Sequence, residues 1–325
     1  LWHVCSTGLL MQSVMAGRIS VGTFIALFNT TLSIVDRITS LLETFGDFSK
    51  EIKEISYINS FFELKNMEER TGCAENPVHQ IRFEHVSFSY PNSEKEVLHD
   101  VNFAMDLLHS TAIVGENGSG KTTIIKLLCG LYRPTKGRIL FDNQDLNELN
   151  TKEIGRVIKV VFQDFFQYEL TVRENIGFGN LEELNNDCKL KEALDLVNLE
   201  DIKNSGLDKH LGKLEDEGVD LSKGQWQRLA VSRILLDDTR FAILDEPTAS
   251  MDPVSEYKMY QLFYLLMRSR GSLMISHRLI SAKMADRILV LSNGSIIEQG
   301  SHDELMRNEG EYHKLFCKQA EWYQM

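Results

Sequence analysis

The chain has no excess of positive charge. Its 35 Lys and Arg residues are outnumbered by 47 Asp and Glu residues, which gives a formal net charge of −12 at pH 7. A surface that binds a nucleic-acid backbone needs a basic excess, so nucleic acid is not expected as a main partner. The acidic surplus is expected to lie on a solvated surface, and it still allows a nucleotide to bind at one local site.

The cysteines are few and scattered: Cys5, Cys73, Cys129, Cys188 and Cys317. No two of them are spaced as C-x-x-C, which argues against a zinc site or a dithiol redox site. An odd, dispersed set fits a reducing cytosol for most of the chain.

A signal-peptide pattern is also lacking, because no charged segment leads into an apolar run with a cleavage site. The first residue is Leu1 rather than Met, so we expect further sequence to precede it. The 325 residues suffice for one large domain or two smaller ones, and 43% hydrophobic content is ordinary for a globular protein.

Turn residues are scarce in the first 64 residues, which read as helix. Two apolar stretches, 1–16 and 21–35, are separated by GRIS, and the helical spacing of apolar residues then continues to Phe62. This pattern predicts a helical hairpin that turns near Gly17. Asp36 lies about 22 Å beyond Val21 along a helix, toward one face of a bilayer rather than its centre. Hydropathy alone leaves two readings open, a pair of membrane helices and a water-soluble hairpin.

A charged linker, residues 65–78, leads into an α/β domain over residues 79–325. Strands and helices alternate in this second part, and several short apolar runs are typical of parallel strands buried on both faces. The expected strands are IRFEHVSFSY, VLHDVNFAMD, TAIVG, VIKVVF, FAILD and SLMIS.

The segment GENGSGKT, from Gly115 to Thr122, matches the pattern G-x-x-x-x-G-K-[ST] in full. It follows an expected strand and precedes an expected helix, which is the context that this phosphate-binding loop requires. Backbone N–H groups of the loop would surround phosphates, Lys121 would reach the β and γ phosphates, and Thr122 would bind Mg²⁺. The predicted phosphate-contacting residues are Gly115, Glu116, Asn117, Gly118, Ser119, Gly120, Lys121, Thr122 and Thr123.

The strand FAILD is followed by a glutamate, so two carboxylates stand at its end. Asp245 suits a Mg²⁺ contact, and Glu246 suits a general base that polarises a water molecule. A strand that ends in acids is common and weak evidence alone. The phosphate loop upstream makes the catalytic interpretation the better one.

Three further polar or aromatic residues lie at the ends of expected strands: Gln163, His277 and Tyr90. Each one alone is more often a structural residue than a functional one. In a doubly wound sheet, however, ligands bind beyond the carboxyl ends of the strands, where Gln163 and His277 would lie. The Tyr90 ring could stack on a base, and simple packing is the alternative.

A second phosphate-gripping helix start occurs in LSKGQWQ, residues 221–227. Ser222, Gly224 and Gln225 would open a helix whose free N–H groups and dipole suit an anion. The apolar residues of that helix, at positions 226, 229, 230 and 234, are expected to pack in the core. One chain would thus carry two phosphate grips, the loop at 115–122 and the helix start at 222–225.

The order of these motifs resembles that of the nucleotide-binding domains of ATP-binding cassette (ABC) transporters. The resemblance covers residues 79–325 and implies ATP and Mg²⁺, with Thr122, Gln163 and Asp245 around the metal. It implies an adenine-stacking role for Tyr90, a catalytic-base role for Glu246, a D-loop role for Asp252 and a switch role for His277. Gln163 would sense both Mg²⁺ and the membrane domain.

Further segments resemble exporter-type half-transporters: TVRENI at 171–176 and SHRLISAKMADRILVL at 276–291. Residues 1–64 would then be the end of a multi-pass transmembrane domain in the cell membrane, with the ATPase domain in the cytoplasm. The fold class implied is a P-loop ABC ATPase domain with a helical subdomain, preceded by transmembrane-type helices.

The resemblance also implies a partner. In ABC dimers the signature residues, here Ser222, Lys223, Gly224 and Gln225, close over the ATP held by the other chain. The resemblance thus implies two partners. One is a second half-transporter chain, identical or different, and the other is a transported substrate that the sequence does not identify. Lys223 departs from the usual LSGGQ, which puts the rate in doubt rather than the function. The alternatives are a soluble ABC ATPase without a transport role and a non-hydrolysing regulatory subunit.

Overall fold

A computed structural model of the chain describes residues 2–62, 72, 77–213, 218–236, 241–246 and 253–324. The chain forms two compact units, Leu1–Glu69 and Arg70–Met325.

The first unit consists of two helices, α1 (Trp2–Met15) and α2 (Val21–Phe62). The chain turns between them at Gly17, where φ is +69° and glycine is favoured. The Ser20 hydroxyl accepts a hydrogen bond from the Thr23 N–H at 3.2 Å and so starts α2. The predicted break near Gly17 and the predicted helix through Phe62 are both confirmed.

Helix α2 is long, its first part is mainly apolar, and most of its described side chains are exposed. Its 42 residues extend about 63 Å at 1.5 Å per residue. Within the described residues, the stretch Val21–Asn59 is long enough, and contains a segment apolar enough, to cross a membrane by length and composition. The hydroxyls of Thr30 and Thr31 donate to backbone carbonyls four residues earlier, at 2.8 Å each, so these polar groups are satisfied within the helix.

The second unit alternates strands and helices, as predicted. Its strands are β1 (Gln80–Ser89), β2 (Glu96–Asp106), β3 (Ser110–Val114), β4 (Lys136–Phe141), β5 (Gln144–Asp145), β6 (Ile158–Val161), β7 (Phe241–Asp245), β8 (Gly271–Ile275), β9 (Arg287–Ser292) and β10 (Ser295–Gly300). Its helices are α3 (Lys121–Leu128), α4 (Thr151–Val157), α5 (Val172–Gly177), α6 (Asp187–Leu196), α7 (Glu200–Ser205), α8 (Lys223–Leu235), α9 (Pro253–Ser269), α10 (Leu279–Ala282), α11 (His302–Arg307) and α12 (Glu311–Gln324), with a 3₁₀ turn at Leu181–Glu183.

The strands form two sheets. The first is antiparallel, in the order β2-β1-β4-β5, and the second has the order β10-β9-β3-β8-β7-β6. In the second sheet β9, β3, β8, β7 and β6 run parallel, and only β10 is antiparallel to its neighbour. The predicted strands are present, and the sequence analysis did not single out β4, β5, β9 or β10.

The parallel sheet is buried on both faces, as its continuous apolar runs predict. In β7, Phe241 and Ile243 belong to the apolar cluster shared with β1, β2 and α3. The alternate residues Ala242 and Leu244 face a second cluster, built mainly from α5 to α9. A third cluster covers β3 and β9 with α10, α11 and α12.

Helices α5 to α8 form the expected helical subdomain around the second cluster. The side chains of Trp226, Leu229, Ala230 and Ile234 on α8 are all buried in it. They form the core-facing stripe that their spacing predicts. The subdomain therefore fixes the direction of α8 and leaves its first turn at the surface.

Candidate nucleotide-binding site

The candidate site lies where four neighbouring strands of the parallel sheet end. In the order β3-β8-β7-β6, these strands lead to Lys121, His277, Glu246 and Gln163. Gln163 and His277 each come two residues after their strand rather than at its last position. A cavity of about 410 Å³ lies here, lined by Asn117, Gly118 and residues 120–123 of the loop together with Val97, Gln163 and Glu246.

The phosphate loop runs from β3 to α3 in a conformation that depends on glycine. Gly120 has a φ of +106°, and a Cβ at this position would lie 2.7 Å from Leu98 Cδ2. A Cβ on Gly115 would lie 2.1 Å from the backbone oxygen of Leu291. The loop therefore packs closely against β2 and β9, and no larger residue fits at either position.

The Lys121 side chain is buried and folded back on the loop. Its Nζ donates hydrogen bonds to the backbone oxygens of Gly115, at 2.9 Å, and Glu116, at 2.8 Å. Burial lowers the pKa of Lys121, and the carboxylates of Glu246 and Asp245 oppose that effect. The ammonium group is thus a positive charge largely excluded from solvent. Its present partners are carbonyl oxygens, which an anion can replace.

Asp245 is 1% exposed, and its Oδ1 has no hydrogen-bond partner among the described residues. The pKa of Asp245 is raised to about 6, mainly by burial. A hydrogen bond with the Thr122 side chain partly offsets this rise, and the charge of Glu246 adds to it. A buried carboxylate oxygen without a partner is costly unless a cation or a donor approaches it. The oxygen donors of Thr122, Asp245 and Gln163 are of the kind that Mg²⁺ prefers. These residues therefore fit the metal, although in the described ranges no group of three acidic, His or Cys side chains is arranged so that it could hold a metal ion by itself.

Glu246 occupies an unusual backbone position, with a φ of +44° directly after β7. Its N–H donates to the Ile275 oxygen at 3.0 Å, which ties the end of β7 to β8. Its Oε2 lies 3.3 Å from Nδ1 of His277, which is the second residue after β8. A non-glycine residue in the left-handed region is strained, and such strain often occurs at functional sites. The predicted base and the predicted switch residue are thus adjacent.

Tyr90 packs beside the phosphate loop. Its hydroxyl lies 3.0 Å from Thr123 Oγ1, and Lys126 Nζ lies 5.5 Å from its ring centroid. The rings of Phe88 and Tyr132 meet it edge-on. Its adenine-stacking role stays a prediction. Val97 of β2 lines the cavity and was missed, because an aliphatic residue in a strand carries no sequence signal of its own.

Ser222 and Gln225 form a reciprocal cap at the start of α8. The Gln225 N–H donates to Ser222 Oγ at 3.3 Å, and the Ser222 N–H donates to Gln225 Oε1 at 2.9 Å. Lys223 is exposed, and Gly224 is half-buried. Of the described residues, those that line the cavity at Lys121 include none from α8. Asp252 lies outside the described residues.

Comparisons with known proteins agree on one family. Residues 98–249 match the family model described as ABC transporter. The chain is 36% identical over 311 residues to the subtilin transport ATP-binding protein SpaT of Bacillus subtilis. This match covers 94% of this chain and 50% of that protein. It is 34% identical over 305 residues to an ATP-dependent lipid A-core flippase of Nitrosococcus oceani, with coverages of 93% and 52%.

A solved structure of a bacterial Atm1-family ABC exporter with ATP bound is also similar. It is 27% identical, with a TM-score of 0.71, and the match covers 97% of this chain and 56% of that one. The chain thus spans about half the length of the curated relatives it matches.

The burial of the Asp245 carboxylate, one oxygen of which lacks a partner, predicts a gain in stability when the residue is replaced. Its pKa rises from 3.8 to about 6 on folding, so ionisation above pH 6 costs the folded state free energy. In Asp245→Asn this cost is absent, and the nucleotide-free protein should be more stable at pH 8 by about 2 kcal/mol. The advantage should shrink as the pH falls through 6 toward 4. Thermal unfolding in detergent with EDTA, from pH 4 to pH 8, measures it.

Asp286→Asn is the matched control with the opposite sign. Burial raises the pKa of Asp286, but hydrogen bonds from the Ser110 hydroxyl and N–H outweigh it, and the pKa is lowered overall. Its carboxylate therefore stabilises the fold above pH 4, and the variant should unfold at a lower temperature at pH 8. Equal stability of Asp245→Asn and the unsubstituted protein at pH 8 would contradict the prediction.

Proposed function

The chain belongs to the ABC transporter family, and from that premise we propose that it is the ATP-hydrolysing part of an exporter-type transporter. One observation carries the proposal: Lys121, Thr122, Gln163 and Glu246 line one cavity at the carboxyl edge of the parallel sheet. Asp245, with its unpartnered oxygen, precedes Glu246 in the chain.

The phosphate loop and α3 would bind the triphosphate of ATP. Free N–H groups and the positive end of the helix dipole favour anions at the start of α3. Lys121 would exchange its two backbone carbonyl partners for oxygens of the β and γ phosphates. Tyr90 and Val97 would contact the nucleoside end.

Thr122, Gln163 and Asp245 would hold Mg²⁺, and the orphaned Oδ1 of Asp245 supports this assignment. The metal would neutralise charge on the β and γ phosphate oxygens. Occupation by a cation would also give a partner to the buried carboxylate oxygen that now lacks one. Asp245 would thereby become more strongly ionised.

Glu246 would act as the general base. Its carboxylate would accept a proton from the water that attacks the terminal phosphate. His277, whose Nδ1 is 3.3 Å from Glu246 Oε2, would orient that carboxylate and contact the terminal phosphate with its other nitrogen. Gln163 would help to place the water.

Replacement of Glu246 separates binding from chemistry. Glu246→Gln keeps the shape of the side chain but cannot accept a proton, so ATP binding should persist while turnover falls by on the order of 10²–10⁴-fold. Lys121→Ala should instead weaken ATP binding, because a buried positive charge is lost from the phosphates. Phosphate release and fluorescent-nucleotide binding measure the two effects. Turnover at the unsubstituted rate by Glu246→Gln would exclude Glu246 as the base.

Two chains would be needed for one complete site. The start of α8, with Ser222, Lys223, Gly224 and Gln225, is a second phosphate grip that does not line the cavity of its own chain within the described residues. We propose that it closes over the ATP held by a second half-transporter chain, with Asp252 at the same interface. ATP binding would then close the dimer, and hydrolysis would reopen it.

A mixing experiment tests this arrangement, on the assumption that the chain pairs with itself. Lys121→Ala spoils the phosphate loop, and Ser222→Arg blocks the start of α8. Neither variant alone should close with ATP, since every site has one defective half. The mixed pair has one fully intact site and should close, as measured by ATP-dependent crosslinking in a Glu246→Gln background that prevents hydrolysis.

The control pairs an intact chain with the Lys121→Ala/Ser222→Arg double variant. Each of its two sites has one defective half, so no closure is expected. Closure there would mean that both grips act on one nucleotide within a single chain. Failure of the mixed pair, while unsubstituted chains close, would mean that the grips do not meet across chains or that both sites must be intact.

The chain is membrane-associated, and we propose that α2 crosses the bilayer as one span of a multi-pass domain. Its apolar side chains, such as Ile25 and Leu42, are more than half exposed within their unit, so only lipid or further helices could cover them. Asp36 would lie toward one face of the membrane, and the charged end of the helix would extend into water. This surface favours a transport role over a soluble ABC ATPase. The two relatives named above act on different compounds, so no cargo is proposed.

Cysteine labelling tests the membrane position of α2. Ile25→Cys and Glu51→Cys place thiols at two exposed positions about 39 Å apart along the helix. In membrane vesicles, a water-soluble maleimide should label Glu51→Cys above the background of the unsubstituted protein and leave Ile25→Cys unlabelled. Both should react in SDS. Equal labelling of the two in vesicles would contradict a span at Ile25.

A further inference from the structure

We propose that Gln319, on α12, is a positioning residue that holds the His277 backbone in place for ATP hydrolysis. The Gln319 Nε2 donates a hydrogen bond to the His277 backbone oxygen. Its Oε1 accepts a hydrogen bond from the Leu279 N–H at 2.8 Å. One side-chain amide thus bridges the backbone on both sides of Arg278. The inference rests on the proposed role of His277.

The amide supplies what the local sequence lacks. Helix α10 begins at Leu279, and Arg278, its N-cap residue, makes no side-chain capping bond. The first N–H groups of a helix need partners from outside it, and Gln319 provides one from 40 residues away. Only one orientation of the amide can donate to a carbonyl and accept from an N–H, so the assignment of its two ends follows from the contacts.

Helix α12 is itself firmly anchored, so that it can serve as a support. The carboxylate of Glu298, in β10, accepts hydrogen bonds from the N–H groups of Glu311 and Tyr312 at the start of the helix. Tyr312 is fully buried, and its hydroxyl lies 2.8 Å from Nδ1 of His302. Gln319 lies seven residues after Tyr312, about two helical turns along the same face. Its position is therefore set relative to the sheet.

Two other contacts act on Arg278, whose N–H belongs to the same peptide group as the carbonyl of His277. Ser276 Oγ accepts from the Arg278 N–H at 2.9 Å, and the Arg278 guanidinium pairs with Glu256 of α9. The bond from Gln319 acts on the oxygen of this His277–Arg278 peptide group, so that both of its polar ends are held. That peptide sets the direction of the imidazole, whose Nδ1 lies 3.3 Å from Glu246 Oε2. A small rotation there would move the histidine away from both Glu246 and the terminal phosphate.

Two substitutions of Gln319 test the inference in the full chain, purified in detergent. Gln319→Leu removes both hydrogen bonds, and Gln319→Glu keeps the acceptor for the Leu279 N–H but loses the donor to His277. Each should lower kcat for ATP about tenfold, which corresponds to the loss of one or two ordinary hydrogen bonds in the active geometry. The KM for ATP should change less than twofold, because the phosphate loop is untouched.

Lys318→Leu is the matched control, since Lys318 is the exposed neighbour of Gln319 on the same helix. It should leave kcat and KM unchanged. A purely structural role of Gln319 predicts instead a lower thermal midpoint with kcat unchanged for the folded fraction. That result, or unsubstituted kcat in both Gln319 variants, would overturn the inference.

A double variant shows whether Gln319 acts through His277. In single-turnover ATP hydrolysis, His277→Ala/Gln319→Leu should be no slower than His277→Ala alone, within twofold, because the group that Gln319 positions is already missing. A further tenfold loss in the double variant would mean that Gln319 acts by another route and would contradict the inference. Normal hydrolysis by both His277→Ala and Glu246→Gln would instead refute the proposed function itself.

Discussion

The candidate site depends on the parallel pairing of β3, β8, β7 and β6. Parallel strands bring all their carboxyl ends to one edge, so the residues that follow them meet although they are far apart in sequence. The register of this sheet is set by burial on both faces. In β7, Phe241 and Ile243 face one apolar cluster while Ala242 and Leu244 face another. A slip of one residue would exchange these two sets and move Glu246 away from His277.

The same edge collects groups whose local state is unfavourable. Asp245 is a buried carboxylate with an unpartnered oxygen, and Glu246 has a left-handed backbone conformation. Lys121 is buried and bound to backbone carbonyls that cannot neutralise its charge. Each of these costs free energy in the isolated domain, and each would be relieved or used when a phosphate and a cation are present. The well-packed sheet beneath them offsets the cost.

Sequence reasoning found the parts of the site that have a local signature. The phosphate loop and the acids after β7 each combine a motif with an adjacent strand or helix, and the loop and Glu246 line one cavity. The cap of α8 also forms where its motif predicts, but its contact with phosphate stays a prediction. Val97 and Gln319 could not be found in this way. Their roles arise from contacts across the fold, and neither an aliphatic residue in a strand nor a glutamine in an amphipathic helix differs from many others. The antiparallel strand β4 was missed for a related reason, since its pairing with β1 depends on a partner distant in the chain. Strand β5 has only two residues and pairs with the neighbouring β4.

Charge at the helix starts gives a separate reason to connect α3 and α8 with an anion. In the second unit, most described helices carry an acid in their first turn, as the helix dipole favours; Glu174 of α5 and Asp187 of α6 are examples. Helices α3 and α8 carry no acid there, and each begins with a lysine instead, Lys121 and Lys223. A cation at a helix start is unfavourable by about 0.3–1 kcal/mol in the absence of an anion. Helix α10 also lacks an acid, but its first N–H is bound by Gln319. Lys223, which departs from the usual signature, therefore makes the start of α8 resemble the start of α3. Its positive charge should strengthen rather than weaken the attraction of α8 for phosphate.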